Sequence, residues 1–183
     1  MERVFDQFNY GNVFITGGVN KGKTSILATL MENCIDKGEN IYFIDAEYEL
    51  SKVFDKYDNV KSLFVSSNVV KVKQFVSDMN NGDTLIIDAY GMLSSSVKSY
   101  IKKFLATNKY RAIIASKNAN DISVTQFTNV IALGTTRSFS KHIGVDTSTL
   151  ASDEVLINGD KIIKFNYSEF IGYKAGLVIS RMK

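Results

Sequence analysis

Residues 17–24 read Gly17-Gly18-Val19-Asn20-Lys21-Gly22-Lys23-Thr24 and fit the spacing G-x-x-x-x-G-K-[ST]. Glycine at the first and sixth positions lets successive backbone N–H groups turn toward one point. With the positive end of a following helix, those groups cradle phosphate oxygens. Lys23 is then placed for the β- and γ-phosphates of a nucleoside triphosphate. The Thr24 hydroxyl suits Mg²⁺, a hard ion that prefers oxygen. The candidate nucleotide contacts are therefore Gly17, Gly18, Val19, Asn20, Lys21, Gly22, Lys23, Thr24 and Ser25. Asp88 closes the apolar run Leu85-Ile86-Ile87 and fits the acid that supports such an ion, so Thr24 and Asp88 are the candidate metal ligands. Transfer of a phosphoryl group to water also needs a base. Ala89 and Tyr90 follow Asp88, so no carboxylate stands beside it. The remaining candidate is Glu47, just past the apolar run Ile41-Tyr42-Phe43-Ile44.

These residues must be brought together by the elements that carry them. Residues 12–16 read as a buried strand. Residues 22–37 read as a helix with Ile26, Leu27, Leu30, Met31, Cys34 and Ile35 on one stripe. Further strands are expected at 41–44, 62–65, 84–87, 112–115 and 130–133. Val69, Val72, Phe75, Val76 and Met79 mark one helix between them. Leu93, Val97, Tyr100, Ile101, Phe104 and Leu105 mark another, with Lys98, Lys102 and Lys103 on its outer face. Short, nearly continuous apolar strands alternating with helices predict a parallel sheet covered on both faces. In such a sheet all strand carboxyl ends face one crevice, where Glu47 and Asp88 meet. Asn158-Gly159 between residues 154–157 and 161–165 predicts a hairpin, and 177–179 a last strand. One α/β domain over residues 1–183 is expected, its mostly parallel sheet ending in a β-hairpin.

Composition narrows the chemistry. At 183 residues, 45% hydrophobic and 22% charged, the chain can bury a core without cross-links. One Cys excludes an internal disulfide framework and a multi-cysteine zinc site. One His, His142, excludes a multi-histidine metal centre. A net charge of +3 permits nucleic-acid contact without requiring it. The first eight residues have no apolar core or cleavage site, and no stretch approaches the ~18 apolar residues of a membrane span. A cytoplasmic protein with no membrane partner is expected.

Tyr42-Phe43-Ile44-Asp45-Ala46-Glu47 resembles the strand-plus-glutamate motif of the RecA family, in which the Glu is the catalytic base. The run at 85–88 resembles that family's second motif, which commonly lacks an adjacent Glu. Residues 62–67 with the helix after them resemble its intervening unit. Leu177-Val178-Ile179-Ser180-Arg181-Met182-Lys183 resembles the basic terminal strand of KaiC-like and DnaB-like members. There a Lys-x-Arg pair reaches the neighbouring subunit's nucleotide; here the order is Arg-x-Lys. The resemblance spans nearly the whole chain as architecture and four short stretches as motif.

It implies a three-layer α/β/α RecA-like P-loop fold and Mg²⁺-dependent hydrolysis of ATP. Lys23 and Glu47 would act within the subunit, and Arg181 and Lys183 across a head-to-tail homo-oligomer, such as a hexamer. Ser116 or Asn118 would sense the γ-phosphate. The loops at 118–128 and 135–149 would face single-stranded DNA, with Arg137, Phe139 and Lys141 as contacts, in replication, recombination or packaging. Two alternatives stay open. One is a KaiC-like, nucleotide-controlled scaffold without nucleic acid. The other is a small-molecule (nucleoside) kinase, which would usually carry an acid beside the metal Asp.

Overall fold

The computed structural model describes residue 8 and residues 10–107, 109–117, 122–134 and 146–164. The elements in chain order are β1 (Val13–Thr16), α1 (Lys23–Asp36), β2 (Ile41–Asp45), α2 (Ser51–Phe54), β3 (Val60–Phe64), α3 (Val69–Ser77) and β4 (Thr84–Asp88). They continue with α4 (Ser95–Leu105), β5 (Arg111–Ser116), β6 (Asn129–Leu133), β7 (Glu154–Ile157) and β8 (Lys161–Lys164). Every strand expected within these residues forms. The four-residue α2 was not expected, being too short to show a helical period. The strand proposed at 177–179, like His142 and Asn118, lies outside the described residues.

One eight-stranded sheet runs in the order β3-β2-β4-β5-β1-β6-β7-β8. From β3 to β6 every pairing is parallel. β7 returns antiparallel to β6, and β8 antiparallel to β7. Side chains alternate between faces along each strand, which sorts the core into two layers. Val13, Ile15, Ile41, Phe43, Ile86, Ile113 and Ala115 pack with Ile26, Leu27, Leu30 and Met31 of α1 and with Phe54 of α2. Phe14, Ile44, Leu85, Ile87 and Ile114 pack on the other face, with Val72 and Val76 of α3 and Val97 and Ile101 of α4. The central strands β1, β2, β4 and β5 are buried almost throughout because helices cover both faces. Among the described residues no helix is long and apolar enough to cross a membrane.

The end of the sheet away from the phosphate loop is tied by Arg111. Its Nη1 donates to both Glu39 oxygens at 3.1 and 2.8 Å, and its Nη2 to the Phe8 carbonyl at 2.7 Å. Thr84 Oγ1 donates to the same carboxylate at 2.8 Å, so β4 and β5 start from one polar knot. Cys34 lies 3.3 Å from this guanidinium. Burial pushes its thiol up to about 12, so it stays protonated and behaves as a core residue.

The hairpin turn docks onto β6 through Asn158. Its Oδ1 accepts from Val130 N at 2.8 Å, and its own N–H donates to the Val130 carbonyl at 2.8 Å. Asn158 sits at φ 52°, a conformation that Asn tolerates better than most residues. Asn158→Ala adds left-handed strain and removes two hydrogen bonds, that from Val130 N and the one its Nδ2 donates to Asn129 Oδ1 at 3.3 Å. The expected cost is about 1–2 kcal/mol, a fall of roughly 3–8 °C in the thermal unfolding midpoint for a chain of this size.

Candidate functional site

The segment between β1 and α1 forms the predicted cradle. Gly22 caps α1 at φ 89°, and Asn20 is also left-handed at φ 58°. No side chain caps the helix and no acid lies in its first turn, so the positive end of α1 is open to an anion. At Gly17 a Cβ would fall 2.8 Å from the Leu133 side chain; the loop passes β6 too closely for any other residue. Gly18 N donates to the Gly134 carbonyl at 3.1 Å, and Lys23 Nζ donates to the Gly18 carbonyl at 2.8 Å. Val19 and Asn20 are exposed at the loop tip, Lys21 and Thr24 are half-buried, and Ser25 is buried at the helix start.

The two strand-end acids come from neighbouring strands in direct register, Asp45 opposite Asp88. Both face α1, because they continue the alternation of Phe43 and Ile86. Asp88 is buried, and its Oδ1 accepts from Ala89 N at 2.8 Å. Its Oδ2 is buried with no hydrogen-bond partner. Burial above all, with the charges of Asp45 and Glu47, pushes the Asp88 carboxyl up to about 7, against the opposing pull of the Ala89 N–H and of Lys23. Glu47 and Lys23 thus each act on the Asp88 carboxyl through charge. Glu47 itself is exposed at the rim.

These donors fit a hard divalent ion. The unpaired Asp88 oxygen is desolvated at a cost that a cation would relieve, and a carboxylate together with the Thr24 hydroxyl would be an oxygen-only set. Among the described residues no three His, Cys, Asp or Glu side chains form a metal cage. Phosphate and water oxygens would therefore complete the shell of any ion bound here.

No protein-family model and no curated protein matches the chain. Solved structures do. The genome-packaging NTPase B204 from Sulfolobus turreted icosahedral virus 2, in complex with AMP, is 16% identical with a TM-score of 0.60, over 86% of this chain and 98% of that one. The DNA-packaging ATPase B204 from Sulfolobus turreted icosahedral virus is 19% identical with a TM-score of 0.61, over 85% and 97%. A KaiC-like protein from Pyrococcus horikoshii OT3 is 18% identical with a TM-score of 0.52, over 67% and 72%. The chain has the RecA-like P-loop fold.

Within this RecA-like frame, one residue of the site escaped the sequence reading. Asp45 is a knot rather than a strand-exit acid. Its Oδ1 accepts from Glu47 N at 3.1 Å and from Tyr48 N at 2.8 Å. Its Oδ2 accepts from Ser51 N at 2.9 Å and Ser51 Oγ at 2.8 Å. Four donors hold the loop that carries Glu47 and start α2. The turn puts Tyr48 at φ 59°, a strain which those bonds sustain. The signal was the acid itself, on the buried end of an apolar strand two residues before Glu47. Ala89 is likewise left-handed at φ 51°, immediately after Asp88.

Ser116 is buried in register with Thr16, on the face opposite Asp45 and Asp88. Arg137, Phe139, Lys141, Arg181 and Lys183 lie outside the described residues.

Two outcomes are expected from these acids. Asp88 holds a proton in the folded state up to about pH 7 and in the unfolded chain only to its ordinary 3.8. Stability of the ligand-free protein should therefore fall as pH rises through that window. Asp88→Asn should remove the dependence and raise the unfolding midpoint at pH 8; calorimetry across pH reads both. Asp45→Asn places an amide where two Ser51 donors point. It should cost about 2–3 kcal/mol, a fall of roughly 5–10 °C. Turnover should drop more than nucleotide affinity, as the Glu47 loop loosens.

Proposed function

We propose that this chain hydrolyses ATP, with Mg²⁺ as cofactor, as the motor subunit of an assembly that acts on DNA. The observation that supports it best is the convergence of the phosphate loop, the unpaired Asp88 oxygen and Glu47 at one end of the sheet. Hydrolysis of ATP draws support from B204, whose structures include complexes with AMPPCP and ATPγS and which is described as a genome-packaging NTPase. Action on DNA draws on the same neighbour's description as a DNA-packaging ATPase.

In the mechanism, backbone N–H groups of residues 17–24 and the α1 amino terminus hold the triphosphate. Lys23 exchanges the Gly18 carbonyl for phosphate oxygens. Thr24 and Asp88 would hold Mg²⁺, which when bound neutralises phosphate charge and orients the γ-group. Glu47 orients the attacking water and takes its proton. Its place at the exposed rim gives that water a path in, and the Asp45 knot fixes its distance. Ala89 and Tyr90 offer no second carboxylate beside Asp88. Tyr90 is buried instead, its hydroxyl donating to the Lys98 carbonyl at 3.3 Å.

The remaining roles belong to the same proposal. Arg181 and Lys183 act in trans on the neighbouring subunit's γ-phosphate in a head-to-tail ring, and Arg137, Phe139 and Lys141 contact single-stranded DNA. The chain works as a single domain, in the cytoplasm. Glu47→Gln should keep ATP binding and lower turnover by on the order of 10²–10⁴. Nucleotide titration alongside phosphate release measures both, and undiminished hydrolysis removes Glu47 from the mechanism.

A further inference from the structure

Charge is unevenly spread along this chain. Residues 59–117 hold nine basic and three acidic side chains, while the rest holds 13 and 16. Of those three acids Asp83 and Asp88 are buried, leaving Asp78, at the carboxyl end of α3, as the exposed one. α3 and α4 lie side by side on one face of the sheet, touching each other. Lys71 and Lys73 on α3, Lys102 and Lys103 on the last turn of α4, and Lys109 beyond it are all exposed. Among the described residues none of these five is in an ion pair. Lysines clustered without acids repel one another, a cost that a polyanion removes.

The surroundings say which polyanion. Lys73 Nζ stands 5.6 Å from the Tyr100 ring centroid, bridging α3 to α4. Tyr100, Phe104 and Tyr110 follow as a half-exposed aromatic row, with Phe104 and Tyr110 stacked at 4.9 Å. The amino ends of the two helices meet where Ser94 N donates to the Ser66 carbonyl at 2.7 Å, and neither helix has an acid in its first turn. Lysine ammonium groups, serine hydroxyls and acid-free helix starts are the groups that contact phosphodiester oxygens. We propose that the outer face of α3 and α4 binds the phosphate backbone of a polynucleotide without reading its sequence. This face lies across the sheet from α1 and the Asp45–Asp88 pair, so it is a second point of attachment beside any made by the loops. The inference rests on the reading that the chain works on a polynucleotide.

The test is the anisotropy of a short labelled duplex of mixed sequence, titrated with the full chain between about 50 and 200 mM salt. Combined Lys71→Gln, Lys73→Gln, Lys102→Gln and Lys103→Gln should weaken binding at least tenfold. It should also flatten the log-affinity against log-salt slope by about 0.9 for every phosphate that is no longer neutralised. The matched Lys→Arg quadruple variant should bind as the parent does, and circular dichroism confirms that both fold. If the parent binds and the Gln variant matches it in affinity and slope, this surface is excluded while the DNA-acting reading stands. If the parent binds neither duplex nor single strand, the DNA-acting reading falls and this inference with it. Displacement of the duplex by poly-glutamate, charge for charge as well as by unlabelled duplex, would assign the face to an acidic protein and overturn the proposal.

Discussion

Two carboxylates stand side by side on adjacent parallel strands, both out of water, and the protein treats them in opposite ways. Asp45 is given four donors and becomes part of the scaffold. Asp88 is given one donor and keeps a bare oxygen. The charge of Asp45 raises the proton affinity of the desolvated Asp88 beside it. Satisfying Asp45 leaves Asp88 to carry the unmet demand for a cation. The sheet order is what makes this pairing possible: β4 lies beside β2, and β5 separates it from β1, so the acids neighbour each other across one strand gap.

Much of this was legible in the sequence, because the signals are local. Short apolar runs and two amphipathic stretches specify parallel strands and covering helices. The glycine spacing at 17–22 specifies the cradle, and Asn158-Gly159 the hairpin. What could not be read is what depends on non-local partners. Nothing in the string of residues shows that Asp45 would face Ser51, or that α2 would form around that bond. The close pass of Gly17 beside Leu133 depends on β6 pairing with β1, two strands far apart along the chain. The left-handed turn at Ala89 is equally silent, since alanine carries no signal for that conformation.

The three layers divide the work. The α1 layer holds the open helix start, the phosphate loop and both acids. The α3–α4 layer holds a lysine-rich exterior and aromatic pairs between helices. Between them the sheet is apolar on both faces, from Phe14 and Ile15 through Ile113 and Ile114. Such an interior transmits displacement poorly by charge and well by packing, because close-packed side chains have few voids into which to relax.

The cradle is braced by the chain itself. Gly18 gives its N–H to β6's exit at Gly134 and its carbonyl to Lys23, so the backbone of one glycine ties the loop to the neighbouring strand and parks the lysine at once. An arriving triphosphate need not build the loop; it trades one neutral acceptor for a charged one at the lysine tip. In the proposed reaction, loss of product would reverse that trade and leave the same scaffold standing. Little ordering entropy would then be spent at each visit, and a protein that loads and discharges a nucleotide repeatedly would do so without refolding its own entrance.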